Sequence, residues 1–272
     1  MATQTLINPF SMRCGTAVPA ELYIPRPVEE ATITERVLGL YFNNLSIVGL
    51  PKTGKSTIVS HCIIEKAEQL AKDKTIVVYY QMGSTRSSLD FYKKVAKKFD
   101  GCFSLNYPDD QKYNSFVQPL VEEIRKNDCI EDITELLEDY FRRGRHIGYK
   151  HILVLDEFDH AHDIFTFEDF QFLREISYMP KDKICLVTCS RKPLNDIEKK
   201  APDDKLSVFA QTFKTCPIGM YEEQNLIDYW AQSANLCEVK DSNKPFVSYV
   251  AGINPWLMDV VNDFLCERQD ST

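Results

Sequence analysis

Eight residues constrain this chain more than any other segment. Gly49-Leu50-Pro51-Lys52-Thr53-Gly54-Lys55-Ser56 reads G-x-x-x-x-G-K-S, with the apolar run Leu45-Ser46-Ile47-Val48 before it and a helical pattern from Thr57-Ile58-Val59 after it. Glycines at the first and sixth positions let successive backbone N–H groups curl around an anion, and the start of the following helix adds the positive end of a dipole. A plain glycine-rich turn needs neither the Lys-Ser pair nor the strand in front. The pattern therefore predicts a strand, a phosphate-cradling loop and a helix in that order.

Strand-like runs recur along the chain at Leu45–Val48, Thr75–Tyr80, His151–Leu155, Ile184–Thr188 and, more weakly, Gln211–Cys216. Several are almost continuously apolar, as strands covered on both faces are. Helical periodicity occupies Thr57–Lys72, Ser88–Phe99, Asn114–Arg143 and Phe167–Ile176 between them. Alternation of this kind predicts an α/β fold with a central, mostly parallel five-stranded sheet flanked by helices. From Pro217 the pattern turns helical, at Glu222–Leu236 and Val247–Leu265. The expected division is a nucleotide-binding core over 1–216 and a small helical lid over 217–272.

Two strand ends carry candidate chemistry. His151-Ile152-Leu153-Val154-Leu155-Asp156-Glu157-Phe158-Asp159 is an apolar run ending in carboxylates, and ligands of open α/β sheets bind at the carboxyl ends of strands. With the loop at 49–56, the tasks divide. Lys55 reaches the β- and γ-phosphates of a nucleoside triphosphate. The Ser56 hydroxyl and Asp156 hold Mg²⁺, and Glu157 polarises the attacking water. Asp159 either touches the metal shell or caps the next helix. The run Ile184-Cys185-Leu186-Val187-Thr188-Cys189-Ser190-Arg191 ends at the same edge. There Arg191 either contacts the γ-phosphate as a cation or pairs with a surface carboxylate. No N-K-x-D sequence is present to read guanine, so ATP is the expected nucleotide. The binding set is Gly49, Leu50, Pro51, Lys52, Thr53, Gly54, Lys55, Ser56 and Thr57.

Composition excludes several classes. No apolar stretch approaches the roughly 18 residues of a membrane span, and the N-terminus lacks a basic start followed by an apolar run, so no secretory signal is expected. The nine cysteines are odd in number and form no C-x-x-C pair, which points to buried thiols in a reducing, cytoplasmic compartment rather than to zinc or disulfides. A net charge of −8 disfavours a protein whose main task is gripping nucleic acid, which usually carries a basic surplus. Two basic clusters do exist, Lys93, Lys94, Lys97 and Lys98, and Arg142, Arg143, Arg145 with His146.

Together these residues resemble the AAA+-like ATPases and, within them, the STAND class of signalling NTPases. Leu186-Val187-Thr188-Cys189-Ser190-Arg191 is similar to the sensor strand of that class, whose arginine reads the γ-phosphate. Asn8-Pro9-Phe10, Gly15-Thr16-Ala17-Val18-Pro19 and Tyr23-Ile24-Pro25-Arg26-Pro27-Val28-Glu29 resemble the segment preceding the loop in bacterial members. The resemblance puts Ile24 and Arg26 beside the adenine, although Pro25 stands where the family has glycine. Ala251-Gly252-Ile253-Asn254-Pro255-Trp256-Leu257 looks like the G-x-P-x-x-L element of the family lid. There Pro255 would pack on the nucleotide, or serve only as the first residue of a helix. The family's winged-helix, repeat and effector segments have no counterpart, so an excised module or separate partner chains are expected.

The resemblance implies a Mg²⁺·ATP-dependent switch whose nucleotide state governs homo-oligomer assembly or a partner effector chain, as in antiviral defence. The alternative is a DNA-associated motor or loader of the origin-recognition or transposition kind. A third reading is a binding module whose ATP is never turned over, which Glu157 opposes. An arginine finger, if donated, would come from Arg142, Arg143 or Arg145.

Overall fold

A computed structural model describes residues 9–14, 17–39, 42–178, 184–200, 205, 207–236 and 241–269. Asn8, Gly15 and Thr16 of the N-terminal resemblance lie outside the described residues. The chain forms two compact units, one of 32–48 with 63–216 and the other of 1–31, 49–62 and 217–272.

The first unit carries the sheet. Its strands are β1 (Leu45–Val48), β2 (Thr75–Gln81), β3 (Lys150–Asp156), β4 (Cys185–Ser190) and β5 (Lys214–Pro217), in the order β2-β3-β4-β1-β5. The β1–β4, β2–β3 and β3–β4 pairs are all parallel, as the near-continuous apolar runs require. Ile152, Leu153, Val154 and Leu155 of β3 and Leu186 and Val187 of β4 are at most 1% exposed. β2 and β3 are covered by the Ser88–Asn106 helix, whose Phe91, Val95, Phe99 and Phe103 join a core with Leu120, Ile124, Leu137 and Phe141 from the helices that follow. Cys185 and Cys189 are buried thiols.

The helix expected over Asn114–Arg143 is three, Gln111–Phe116, Gln118–Lys126 and Ile130–His146. Pro119 lacks an N–H and is suited to the first turn of a new helix. Asn127 is extended (ψ 142°), and its side-chain oxygen accepts the Cys129 N–H at 2.9 Å, an Asx turn that competes with the helix. Asp169 ties two helices together. Its buried carboxylate accepts from Ser88 Oγ (2.6 Å), Tyr92 OH (2.8 Å), Thr166 N (2.8 Å) and Thr166 Oγ1 (3.1 Å).

The second unit is helical. Its core joins Phe10, Tyr229, Val247, Ala251 and Met258 of the Pro9–Cys14, Glu223–Leu236, Lys244–Ala251 and Pro255–Gln269 helices with Ile24 and Tyr221 from the connecting segments. The helix expected over Val247–Leu265 is broken at Gly252, whose φ of +60° suits glycine at a helix end. Arg13, 4% exposed, donates to Leu22 O at 3.2 Å and pairs with Asp259 at 3.5 Å. No described helix is long and apolar enough to cross a membrane.

Candidate nucleotide site

The loop after β1 has the geometry of a cradle. Gly54 (φ +96°) and Lys52 (φ +65°) are left-handed, which turns successive N–H groups toward one side. Gly49 leaves no room for a side chain, since a Cβ there would lie 2.3 Å from the Ile218 carbonyl oxygen. Thr53 Oγ1 closes the turn on Leu50 O at 2.9 Å. Gly54 precedes the Lys55–Val59 helix, and Ile58 N bonds back to Gly54 O at 3.0 Å. The helix then widens into a π turn over Ser60–Ile64, which splits the single helix expected over Thr57–Lys72. Lys55 Nζ donates to Gly49 O and Leu50 O, both at 2.8 Å, so its ammonium is folded over the mouth of the cradle. Ser56 and Thr57 stand on the first turn behind it.

Arg26 braces this loop. It is 5% exposed and donates to Thr53 O and Gly219 O, each at 3.1 Å, with the Tyr221 ring 5.2 Å from its guanidinium. Ile24 is buried in the core of the unit. Pro255 is buried at the first position of the Pro255–Gln269 helix, where Asn254 Oδ1 caps the turn by accepting the Leu257 N–H at 3.0 Å. The next residue, Trp256, places its ring 5.3 Å from Lys52 Nζ. Loop, brace and helix start thus come together within one unit.

The sheet-bearing unit carries the acidic residues. Asp156 ends β3 and is 5% exposed. Its Oδ2 accepts the Tyr79 hydroxyl at 2.6 Å and its Oδ1 the Glu157 N–H at 2.8 Å. Glu157 is exposed and left-handed (φ +56°), an uncommon conformation for a residue with a Cβ, which costs of order 1–3 kcal/mol. Its carboxylate lies over Gly83, where a Cβ would be 2.4 Å from Oε2. Asp159 bonds to backbone beyond its own segment. It accepts the N–H groups of Arg191 (2.8 Å) and Lys192 (3.1 Å), tying the end of β4 to the segment after β3. The Arg191 side chain, 59% exposed, lies 3.6 Å from the same carboxylate, the surface pairing that the sequence left open. Tyr79 was not singled out by the sequence, because a phenol in an apolar strand gives no sign of what the neighbouring strand sets beside it.

The residues present suit a nucleotide and its metal. The loop is held open for an anion by Gly49 and Gly54, a lysine covers it, and a buried carboxylate at a strand end has its orientation fixed. A parallel sheet with a phosphate-cradling loop after β1 and paired carboxylates after β3 is the P-loop nucleotide-binding fold. The profile of the AAA domain family matches residues 43–195, more than half of the chain, and the chain belongs to that family.

Solved structures agree on the fold. The Aeropyrum pernix ORC2 protein in its ADPNP–ADP complexes superposes with a TM-score of 0.64 at 16% identity, over 93% of this chain and 65% of that one. The Walker-type ATPase of Pyrococcus abyssi gives 0.59 at 13% identity, over 90% and 68%. CDC6P from Pyrobaculum aerophilum gives 0.60 at 17%, over 96% and 66%. The chain spans about two thirds of the length of these proteins. No curated protein matches it in sequence.

Proposed function

We propose that this chain binds Mg²⁺·ATP through Gly49–Thr57 and hydrolyses it. The observation that carries the reading is the intact cradle of the loop; the other unit carries Asp156 and Glu157 at the end of a buried strand. Lys55 exchanges its two loop carbonyls for phosphate oxygens, a substitution of one set of acceptors for a more charged one. Ser56 and Asp156 would hold the cation, which supplies charge neutralisation to the phosphates. Glu157, exposed beyond the strand and turned by its left-handed backbone, orients the attacking water and accepts its proton. Ile24, Arg26 and Pro255 bound the base side of the nucleotide. Arg26 acts there through the Thr53 and Gly219 carbonyls, and Arg191 supplies positive charge near the γ-phosphate once released from Asp159. Residues 217–272 act as a lid. The test is phosphate release by wild-type chain, Lys55→Ala and Glu157→Gln. Loss of ATP binding in the first and retained binding with at least about 100-fold slower turnover in the second support the reading. Turnover unchanged in Glu157→Gln removes Glu157 from it.

For the biological role, a nucleotide-gated switch of the STAND kind and a DNA-associated ATPase both fit a fold of this family. The second draws support from the similarity to ORC proteins, one of which, the Aeropyrum pernix ORC1 protein, was solved in complex with DNA (TM-score 0.58, 15% identity). The charge pattern opposes it. Lys93 pairs with Asp128, Lys94 with Asp90, and Arg142 and Arg143 share Asp139, so carboxylates offset part of the charge of each basic cluster. Duplex binding that falls steeply with salt would establish the DNA role, and none at low salt would leave the switch.

A further inference from the structure

The carboxylate of Asp156 is gripped from two directions. Glu157 N–H reaches Oδ1 at 2.8 Å, and Tyr79 OH reaches Oδ2 at 2.6 Å. Tyr79 belongs to β2, where it pairs with Val154, while Gln81 pairs with Asp156. The phenol therefore reaches along the neighbouring strand to the next outward position, a placement set by the β2–β3 register. A phenol has one proton to give, and this one goes to the carboxylate. An O–H···O⁻ bond of that length is charge-assisted and among the stronger kinds in proteins.

We infer that Tyr79 is a positioning residue for the divalent cation, acting through Asp156 by fixing the rotation of its carboxylate. The inference rests on the reading of Asp156 as a metal-holding group. One donor alone leaves a carboxylate free to swing about its Cβ–Cγ bond. Donors on both oxygens fix the plane, and the outward lone pairs then face a constant direction. Outer partners of this kind typically change metal affinity or activity by about 10–100-fold when removed. The adjacent Tyr80 offers an internal control, since its hydroxyl is bonded to Thr85 Oγ1 at 2.8 Å.

The experiment is binding of a fluorescent ATP analogue titrated with Mg²⁺, using the full chain. The variants are Tyr79→Phe, Tyr80→Phe and Asp156→Asn, with an EDTA series for metal-free affinity. Tyr79→Phe is expected to raise the Mg²⁺ concentration for half-maximal metal-dependent binding about 10-fold and to leave metal-free affinity unchanged. Tyr80→Phe should move neither, and Asp156→Asn should raise the requirement at least as far as Tyr79→Phe. If Tyr79→Phe does not fold, Tyr79→Leu carries the same expectation. A requirement unchanged in Tyr79→Phe, or raised equally in both phenylalanine variants, overturns the positioning role. A requirement that ignores Asp156→Asn as well removes the metal reading of Asp156 and the inference with it.

Discussion

His151, the second residue of β3, is a histidine kept from water. It is 1% exposed, with Phe99, Phe103, Tyr140 and Phe141 around its ring at centroid distances of 5.2–6.3 Å. Its Nε2 has no hydrogen-bond partner among the described residues, and a Cβ at Gly144 would lie 2.7 Å from Cε1. Burial, and then the charge of Arg145, lower its pKa from 6.5 to about 3. A depressed folded-state pKa means that the unfolded chain binds the proton first. The stability this group contributes is therefore complete above about pH 6.5 and is lost as pH falls toward about 3. At pH 7.5 the imidazole is neutral in both states, whereas at pH 5.0 it is charged only in the unfolded chain. The difference between those two pH values is about 2 kcal/mol. In His151→Leu, close in volume and without a titrating group, that part of the pH dependence should vanish, and all other groups titrate as before. Urea unfolding of both proteins at pH 7.5 and 5.0 measures it. An equal loss of stability in the two proteins, or an imidazole that titrates near pH 6.5 in the folded state, would refute the argument.

Asp169→Ala strips the acceptor from Ser88, Tyr92 and Thr166 and should cost about 3–5 kcal/mol by urea unfolding, with Asp169→Asn recovering part of it. Gly49→Ala sets a methyl 2.3 Å from the Ile218 carbonyl, and since backbone must move to admit it, ATP affinity by fluorescence titration should fall more than about 10-fold. At position 52, glycine should be more stable than alanine by about 1 kcal/mol in thermal unfolding, because the backbone there is left-handed and only glycine adopts it freely. Both substitutions also free Trp256 from the Lys52 ammonium, and its emission should change in each.

The core of the sheet was legible because strands covered on both faces have no reason to carry polar residues. The Leu45–Val48 run gave β1 with its observed bounds, and the runs at 75–80 and 151–155 gave β2 and β3 to within a residue at each end. β5 was placed early, since Ala210–Thr212 is a 3-10 turn and the strand begins at Lys214. A long amphipathic pattern hid the breaks at Pro119 and Asn127, where one missing N–H and one side-chain acceptor outweigh periodicity. The cradle was readable because its residue types are dictated by backbone geometry. Asp159 and Tyr79 were not, since what they touch is decided by strand register, a property of pairs of segments more than 30 residues apart in sequence.

The sheet order also sets a timetable. β1 lies between β4 and β5, and Leu45 pairs with Val187, a separation of about 140 residues. At roughly 5–20 residues per second of synthesis, β1 waits about 7–28 s for its first neighbour. β2 and β3 complete their pairing sooner, beneath the Ser88–Asn106 helix, so the half of the sheet bearing Asp156 can assemble while β1 is still without a strand on either side. A fragment ending before Cys185 would contain both signature segments and still lack the strands that shelter Leu45-Ser46-Ile47-Val48. Such a fragment is expected to aggregate through that apolar edge, so mapping of activity by truncation must retain β4 and β5 before a lost function can be assigned to the residues removed.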